Sequence, residues 1–184
     1  MQLVLPQPEH LSAYGDALQR GWSPSTLRPE VAQEELAAIA QDPAKFLAGM
    51  DDREAQGDPI TLPDGSKVAR LAGFRRWIWT DTFCGVIGLR WQHGTAALPP
   101  HVLGHIGYAV VPWQRRRGLA TAALAALLPQ ARALGLPYVE LTTDPDNRPS
   151  QRVIEANGGV WVEAFVRPAS MGGKPGWRYR IDLS

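Results

Sequence analysis

Three adjacent arginines and a glycine, Arg115-Arg116-Arg117-Gly118, stand between an apolar run and an alanine-rich one. The chemistry they suit is phosphate binding. Ile106 to Val111 reads as a strand that ends at Pro112, and Thr121-Ala122-Ala123-Leu124 opens a helix-forming stretch after the basic turn. A helix start exposes backbone N–H groups that have no intrahelical acceptor, and the macrodipole adds partial positive charge there. Gly118 and Ala120 keep bulk away, so a diphosphate can approach that backbone closely. Guanidinium groups add charge-assisted donors for phosphate oxygens. Side chains of successive residues point in different directions, so one of the three arginines is expected to face solvent.

Titratable groups that could act on an amine lie before and after this segment. Glu140 sits in the otherwise apolar strand Tyr138-Val139-Glu140-Leu141-Thr142, and alternation places it opposite Val139 and Leu141. Asp144 and Asp146 follow at the carboxyl end of that strand, where sheets with helical crossovers bind ligands. They could hold a cationic amine or shape the turn. His101 and His105 flank the start of the preceding strand, and an imidazole is suited to take a proton from an ammonium near neutral pH. Each has a structural alternative: an outward-facing carboxylate for Glu140, a satisfied core imidazole for His105. Asn147 reads as a helix N-cap with Ser150 in the first turn, a role that holds whatever the function.

The elements that position these groups follow from periodicity. Gln2 to Leu5 is expected as an edge strand. A helix from Pro8 carries Leu11, Tyr14 and Leu18 on one face, and a second opens at Pro29-Glu30 with Leu36 and Ile39 inward. Asp51 to Lys67 is polar and rich in Gly, Pro and Asp, and reads as a loop. Val68 to Thr80 and Phe83 to Gln92 form a hairpin about Asp81-Thr82, and His93 to Leu103 is a further loop. The helix after Gly118 has Leu124, Leu127, Leu128, Ala131 and Leu134 on one stripe, with a kink expected at Pro129 and a cap at Gly135. The strand Tyr138 to Thr143, the Asn147 helix and two strands, Val160 to Val166 and Trp177 to Leu183, complete the chain.

The 184 residues fit one domain with a full core. A net charge of +1 argues against a polyanion binder. Trp77 and Trp79 share one strand face and read as core, although Arg75, Arg76 and Arg90 lie near enough in sequence to keep a nucleic-acid platform in view. The single cysteine, Cys84, excludes an intrachain disulfide and a multi-cysteine zinc site, and it lacks an identifiable activating partner. Met1 to Pro6 does not resemble a signal peptide, and no apolar run is long enough to span a bilayer, so a soluble cytoplasmic protein is expected.

The segment Arg115-x-x-Gly118-x-Ala120 resembles the acetyl-CoA pyrophosphate loop of the GNAT superfamily of N-acetyltransferases. The block Asn147-Arg148-Pro149-Ser150 through Glu155 to Gly158-Gly159 is similar to that superfamily's next helix, and Gly104-His105-Ile106-Gly107-Tyr108 resembles a subgroup of predicted acetyltransferases without an assigned substrate. The resemblance covers about Gly104 to Gly159. It implies a single-domain α+β fold (α/β in the broad sense) with a central mixed, mostly antiparallel sheet of six to seven strands flanked by helices. Residues 1–103 would form the acceptor side, 104–159 the acetyl-CoA-binding core and 160–184 the last strands.

The same resemblance implies acetyl-CoA as co-substrate, with no metal. Its diphosphate would lie on Arg115, Arg116, Arg117, Gly118, Leu119, Ala120 and Thr121, its pantetheine arm along Ala109, Val110 and Val111, and Asn147 and Ser150 beside it. A primary amine would attack the thioester directly. Glu140, His105 and Asp144 are the candidate bases, and Tyr108 the candidate donor to the leaving thiolate, because Ile154 stands where many members carry a tyrosine. The acceptor would be a small-molecule amine or a peptide or protein amine, with no nucleic-acid or membrane partner, and a homodimer is admitted. The alternative is a catalytically silent acyl-CoA-binding or sensor module.

Overall fold

Alternating apolar residues set the strands, and the computed structural model describes residues 1–61 and 65–184. Along the chain the elements are β1 (Gln2–Val4), α1 (Leu11–Gln19), α2 (Val31–Gln41), α3 (Pro43–Ala48), β2 (Asp51–Asp52), β3 (Ile60–Thr61), β4 (Lys67–Val68), β5 (Ala72–Trp79), β6 (Phe83–Trp91), β7 (Ile106–Val110), α4 (Leu119–Ala133), β8 (Tyr138–Thr143), α5 (Arg148–Glu155), β9 (Val160–Val166) and β10 (Pro175–Asp182). Short 3-10 turns stand at Pro8–His10, Pro112–Gln114 and Ala169–Met171. The segment read as a loop from Asp51 to Lys67 contains two-residue strands, too short to leave a periodic signature, and residues 62–64 lie outside the described residues.

The α+β architecture expected from the sequence is present, with the sheet divided in two. One sheet runs β1-β5-β6-β7, with β2 sharing the outer edge of β5; the other runs β8-β10-β9. All ladders among the described residues are antiparallel. The hairpin β5–β6 sets Arg75 opposite Gly88 and Gly73 opposite Arg90, and β6–β7 sets Gly88 opposite Gly107. The outer strand β9 leaves Val160, Trp161, Val162 and Val166 exposed.

Two apolar layers sandwich the larger sheet. On one face Ile78, Ile87, Leu89 and Ile106 pack with Leu124, Leu127 and Ala131 of α4 and with Ile154 of α5. Each such leucine, fully buried, stabilises the fold by about 2 kcal/mol. Pro129 does not end α4, which runs on to Ala133. Both Pro129 and Ala125, whose carbonyl loses its usual donor, are exposed, so water can satisfy that carbonyl. On the opposite face Trp77, Phe83, Val86, Ala109 and Val111 pack with Tyr14, Ala17 and Leu18 of α1 and with Trp22. Tyr14 stacks on Trp77 at 4.3 Å between centroids, and Phe83 stands edge-on to both. The Trp77 indole is fully buried, in keeping with a core role.

The two sheets meet at one point. The His105 N–H donates to the Glu140 carbonyl at 2.8 Å, and the Glu140 N–H donates to His105 Nδ1 at 3.0 Å. Because Nδ1 accepts, the ring proton sits on Nε2, which donates to the Ala96 carbonyl at 3.1 Å. Beyond this joint β7 and β8 share no ladder among the described residues, so the gap between the sheets opens along β7 toward the arginine loop. A Cβ on Gly104 would lie 2.9 Å from the Glu140 carbonyl, which explains the glycine beside the joint.

Burial holds the His105 imidazole below its ordinary range. The unfolded chain therefore takes up a proton that the fold refuses between the folded value and ~6.5. This contribution to stability is complete above about pH 6.5 and is lost as the pH falls toward the folded value. In denaturant titrations at about pH 7.5 and 5.5, the wild type is expected to lose more stability on acidification than His105→Gln, whose amide oxygen can still accept the Glu140 N–H. Equal losses would show that this imidazole does not set the acid limit.

Candidate functional site

The helix start at α4 is built for an anion. Gly118, its N-cap, is left-handed with φ 70° and ψ 4°. Nothing lies within 4 Å of a Cβ placed there, so the glycine answers the backbone angle rather than crowding by protein. Arg116 is also left-handed at φ 62°. These turns aim successive N–H groups one way, and among the described residues none of the N–H groups from Arg116 to Thr121 finds a protein acceptor. The first bond of the helix is Ala122 N–H to Gly118 O at 3.0 Å. Arg115 folds back so that its Nε donates to the Val110 carbonyl at 3.1 Å, and Arg117 donates to the Gln114 side chain. The three guanidinium-bearing residues are exposed, Leu119 is buried beneath them, and Ala120 and Thr121 are half-buried.

The gap between the sheets leads away from this loop. Ala109, Val110 and Val111 line the β7 side, with Val110 turned to the α4 face and Ala109 and Val111 to the α1 face. On the α4 face Tyr108 reaches across to α5, its hydroxyl 2.8 Å from Ser150 Oγ and donating to Ser150 O at 3.3 Å. Burial pushes the Tyr108 phenol up to about 12. Ser150 is held by the cap: Asn147 Oδ1 accepts the Ser150 N–H at 3.2 Å. Gln151, buried, donates to the carbonyls of Asp144 and Pro145 and ties the β8–α5 turn to the helix. Ile154 points into the core at 1% exposure, and a Cβ on Gly159 would fall 2.3 Å from its Cγ2, so that glycine permits the tight end of α5.

The candidate bases are engaged in structural contacts. His105 uses both ring nitrogens in the joint between the sheets. Glu140 does face away from Val139 and Leu141, but its two oxygens accept from Arg178 at 2.9 Å and Arg180 at 2.8 Å. Arg178 also donates to the Leu103 carbonyl and to Glu163, so Glu140 anchors an arginine cluster on β10. Asp144 pairs with the buried Arg167, fixing the start of the β9–β10 loop. His101 lies on the wall of a separate groove on the α1–α3 side. Cys84 is buried in the core. The structure thus brings Tyr108, Ser150, Asn147, Ala109 to Val111 and the arginine loop around one gap, and it places His105 and Glu140 at the closed end.

Sequence reasoning did not find the Tyr108–Ser150 pair or the arginines on Glu140. The second was recoverable only from register, because Glu140 is directly opposite Arg180 when β8 pairs with β10. Among the described residues no helix is long and apolar enough to cross a membrane, and no group of three or more His, Cys, Asp or Glu could hold a metal ion.

Known proteins are similar to this arrangement over nearly the whole chain. The family description "Acetyltransferase (GNAT) domain" matches residues 14–160. A microcin C7 self-immunity acetyltransferase solved with acetyl-CoA and AMP superposes with a TM-score of 0.66 at 12% identity, covering 98% of this chain and 91% of its own. RimJ of Mycobacterium smegmatis, in complex with CoA-disulfide, gives 0.67 at 20% identity over 98% and 80%. RimL, a ribosomal L7/L12 alpha-N-protein acetyltransferase in complex with coenzyme A, gives 0.63 at 16% identity over 99% and 94%. No curated protein matches the chain by sequence.

Replacing Glu140 with Gln would leave Arg178 and Arg180 without their shared counter-ion. The Glu140 side chain is 13% exposed, so the loss should approach, without reaching, that of a fully buried pair. Glu140→Gln is expected to lower unfolding free energy by about 2 kcal/mol in a denaturant titration. A change under about 0.5 kcal/mol would mean that solvent screens the cluster.

Proposed function

The chain belongs to the GNAT acetyltransferase family, and from that premise we propose that it moves an acetyl group from acetyl-CoA to a primary amine by direct attack in a ternary complex. The observation that carries this reading is the run of acceptor-free N–H groups from Arg116 to Thr121 at the mouth of the gap. A diphosphate seated there would be met by the helix start and by guanidinium groups from Arg115, Arg116 or Arg117. The pantetheine arm would extend along Ala109 to Val111, adding amide hydrogen bonds to the unpaired edge of β7. The acetyl carbonyl would then lie beside β7, where a strand N–H near Val110 can stabilise the oxyanion.

The Tyr108–Ser150 pair serves the departing sulfur. Full transfer from a phenol at about 12 to a thiolate near ~8.5 would cost about 5 kcal/mol, so the pair acts as a hydrogen-bond donor to the developing thiolate. The proton itself comes from the attacking nitrogen: the N–C bond forms, the C–S bond breaks, and the amine's excess proton ends on sulfur. With His105, Glu140 and Asp144 held in structural contacts, the acceptor enters as the neutral amine and gives its first proton to water. Those same contacts favour one second reading, a silent acyl-CoA-binding module.

Release of free CoA thiol from acetyl-CoA across a panel of amines decides between the two, since turnover with any amine excludes the silent module. For active acceptors, the inflection in kcat/KM against pH is expected to follow the amine's own pKa from one acceptor to the next. An inflection fixed near pH 6–7 for all amines would instead reveal a protein base. Gly118→Val forces a β-branched residue into the left-handed region, and CoA affinity by calorimetry should fall about tenfold or more in a folded protein. Unchanged affinity would detach the arginine loop from the diphosphate.

A further inference from the structure

On the α1–α3 side of the larger sheet, the strand centres lose their side chains. Gly73, Gly88 and Gly107 lie on three neighbouring strands, and Gly88 is in register with both Arg75 and Gly107. Gly73 and Gly88 help floor an open groove of about 1170 Å³, walled by Glu35 and Phe46 of α2 and α3, by the Asp51–Asp58 segment and by His101.

Two guanidinium groups stand on this floor. Arg75 is neutralised: its Nη1 donates to Glu35 Oε1 at 2.7 Å, and the other Glu35 oxygen accepts from the Tyr14 hydroxyl. Arg90 has no comparable partner among the described residues, whether carboxylate, carbonyl or aromatic ring. Two carboxylates of the groove wall are engaged elsewhere, Asp51 with Arg53 and Arg76 and Asp52 with the N–H groups of Gln56 and Gly57. Arg90 itself is exposed within the open groove, and the surrounding protein together with the like charge of Arg75 holds its guanidinium below its ordinary pKa. It remains a cation without a counter-ion among the described residues, open to an anion that enters the groove.

Gly107 supplies the independent sign. Its φ is outside the left-handed region, and a Cβ there would meet nothing closer than Arg90 Nη2 at 3.5 Å. Neither backbone angle nor protein packing demands glycine, which is a poor strand residue. A side chain at 107 would occupy the space in front of the Arg90 guanidinium. Gly107 lies on β7, the edge strand of the larger sheet that borders the gap.

We propose that Arg90 is an anion-binding residue of the acceptor groove, and that the acceptor is an amine bearing a carboxylate or phosphate group, which docks on Arg90 over the Gly88–Gly107 floor while the amine reaches the gap beside β7. The amine end rests on the acetyl-transfer reading above; the anion site does not. Arg75 and Glu35 hold each other across the floor and leave Arg90 as its binding charge.

Calorimetric titration of the full protein, without acetyl-CoA, with matched probes tests this directly. The pairs are phenylalanine against phenylalaninamide and phosphoethanolamine against ethanolamine. In at least one pair the anionic member should bind about tenfold tighter or more, and the pair that discriminates identifies carboxylate or phosphate. Arg90→Gln should erase the preference without changing the affinity of the neutral member, and Arg90→Lys should keep part of it. Gly107→Val, which the open strand position accommodates, should also erase it, with the near-ultraviolet circular dichroism of the folded protein intact. No discrimination in either pair, or discrimination that survives Arg90→Gln, overturns the proposal. Arg90-dependent binding without turnover would sink only the catalytic reading, whereas equal turnover of both members of each pair would sink only this one.

Discussion

One imidazole and one peptide unit determine how the rest of the molecule is arranged. His105 and Glu140 exchange two hydrogen bonds at the start of β7, and they close the two sheets there. A continued ladder would have filled the space between β7 and β8 with backbone pairing. Because pairing stops, the edge of β7 keeps free amide groups at the place where the helix start of α4 also keeps its own. The joint is buried, so its polar atoms must all be matched, and the Ala96 carbonyl completes the set. An ionised ring could not accept from Glu140, which ties the open gap to a neutral His105.

Charge is distributed in a related way. Five arginines that support the fold are paired with carboxylates: Arg75 with Glu35, Arg76 with Asp51, Arg167 with Asp144, and Arg178 and Arg180 with Glu140. Arg115 and Arg117 use only neutral acceptors and stay exposed beside the free N–H groups of α4. Positive charge is thus neutralised at these five fold-supporting sites and retained where a phosphate is proposed to bind.

Much of this was legible in the residues. Period-two and period-3.6 patterns gave β5 to β8, α1, α4 and α5, because those segments each bury one face. The caps at Gly135 and Asn147 were readable because few residue types suit those backbone positions. The division of the sheet was not readable, since it rests on a contact between residues 35 apart. Glu140 looked like a candidate base because its strand shows only that it faces away from the core. Its partners come from β10, whose register with β8 is a tertiary fact. Ser150 read as a first-turn residue, and only the approach of β7 to α5 reveals its contact with Tyr108. Alternation puts Gly88 and Arg90 on one face of β6, but Gly107 joins them only through the β6–β7 register, and the groove forms only because α2 and α3 stand back from that face.

The stack of Tyr14 on Trp77, bordered by Phe83 and Trp22, ties α1 to the centre of the larger sheet. Rings held this close at fixed tilt couple their electronic transitions, and the asymmetry of the coupling vanishes once α1 lifts away. The molecule therefore carries its own optical gauge for the docking of that helix, a label-free signal that separates lifting of α1 from melting of the α4 layer.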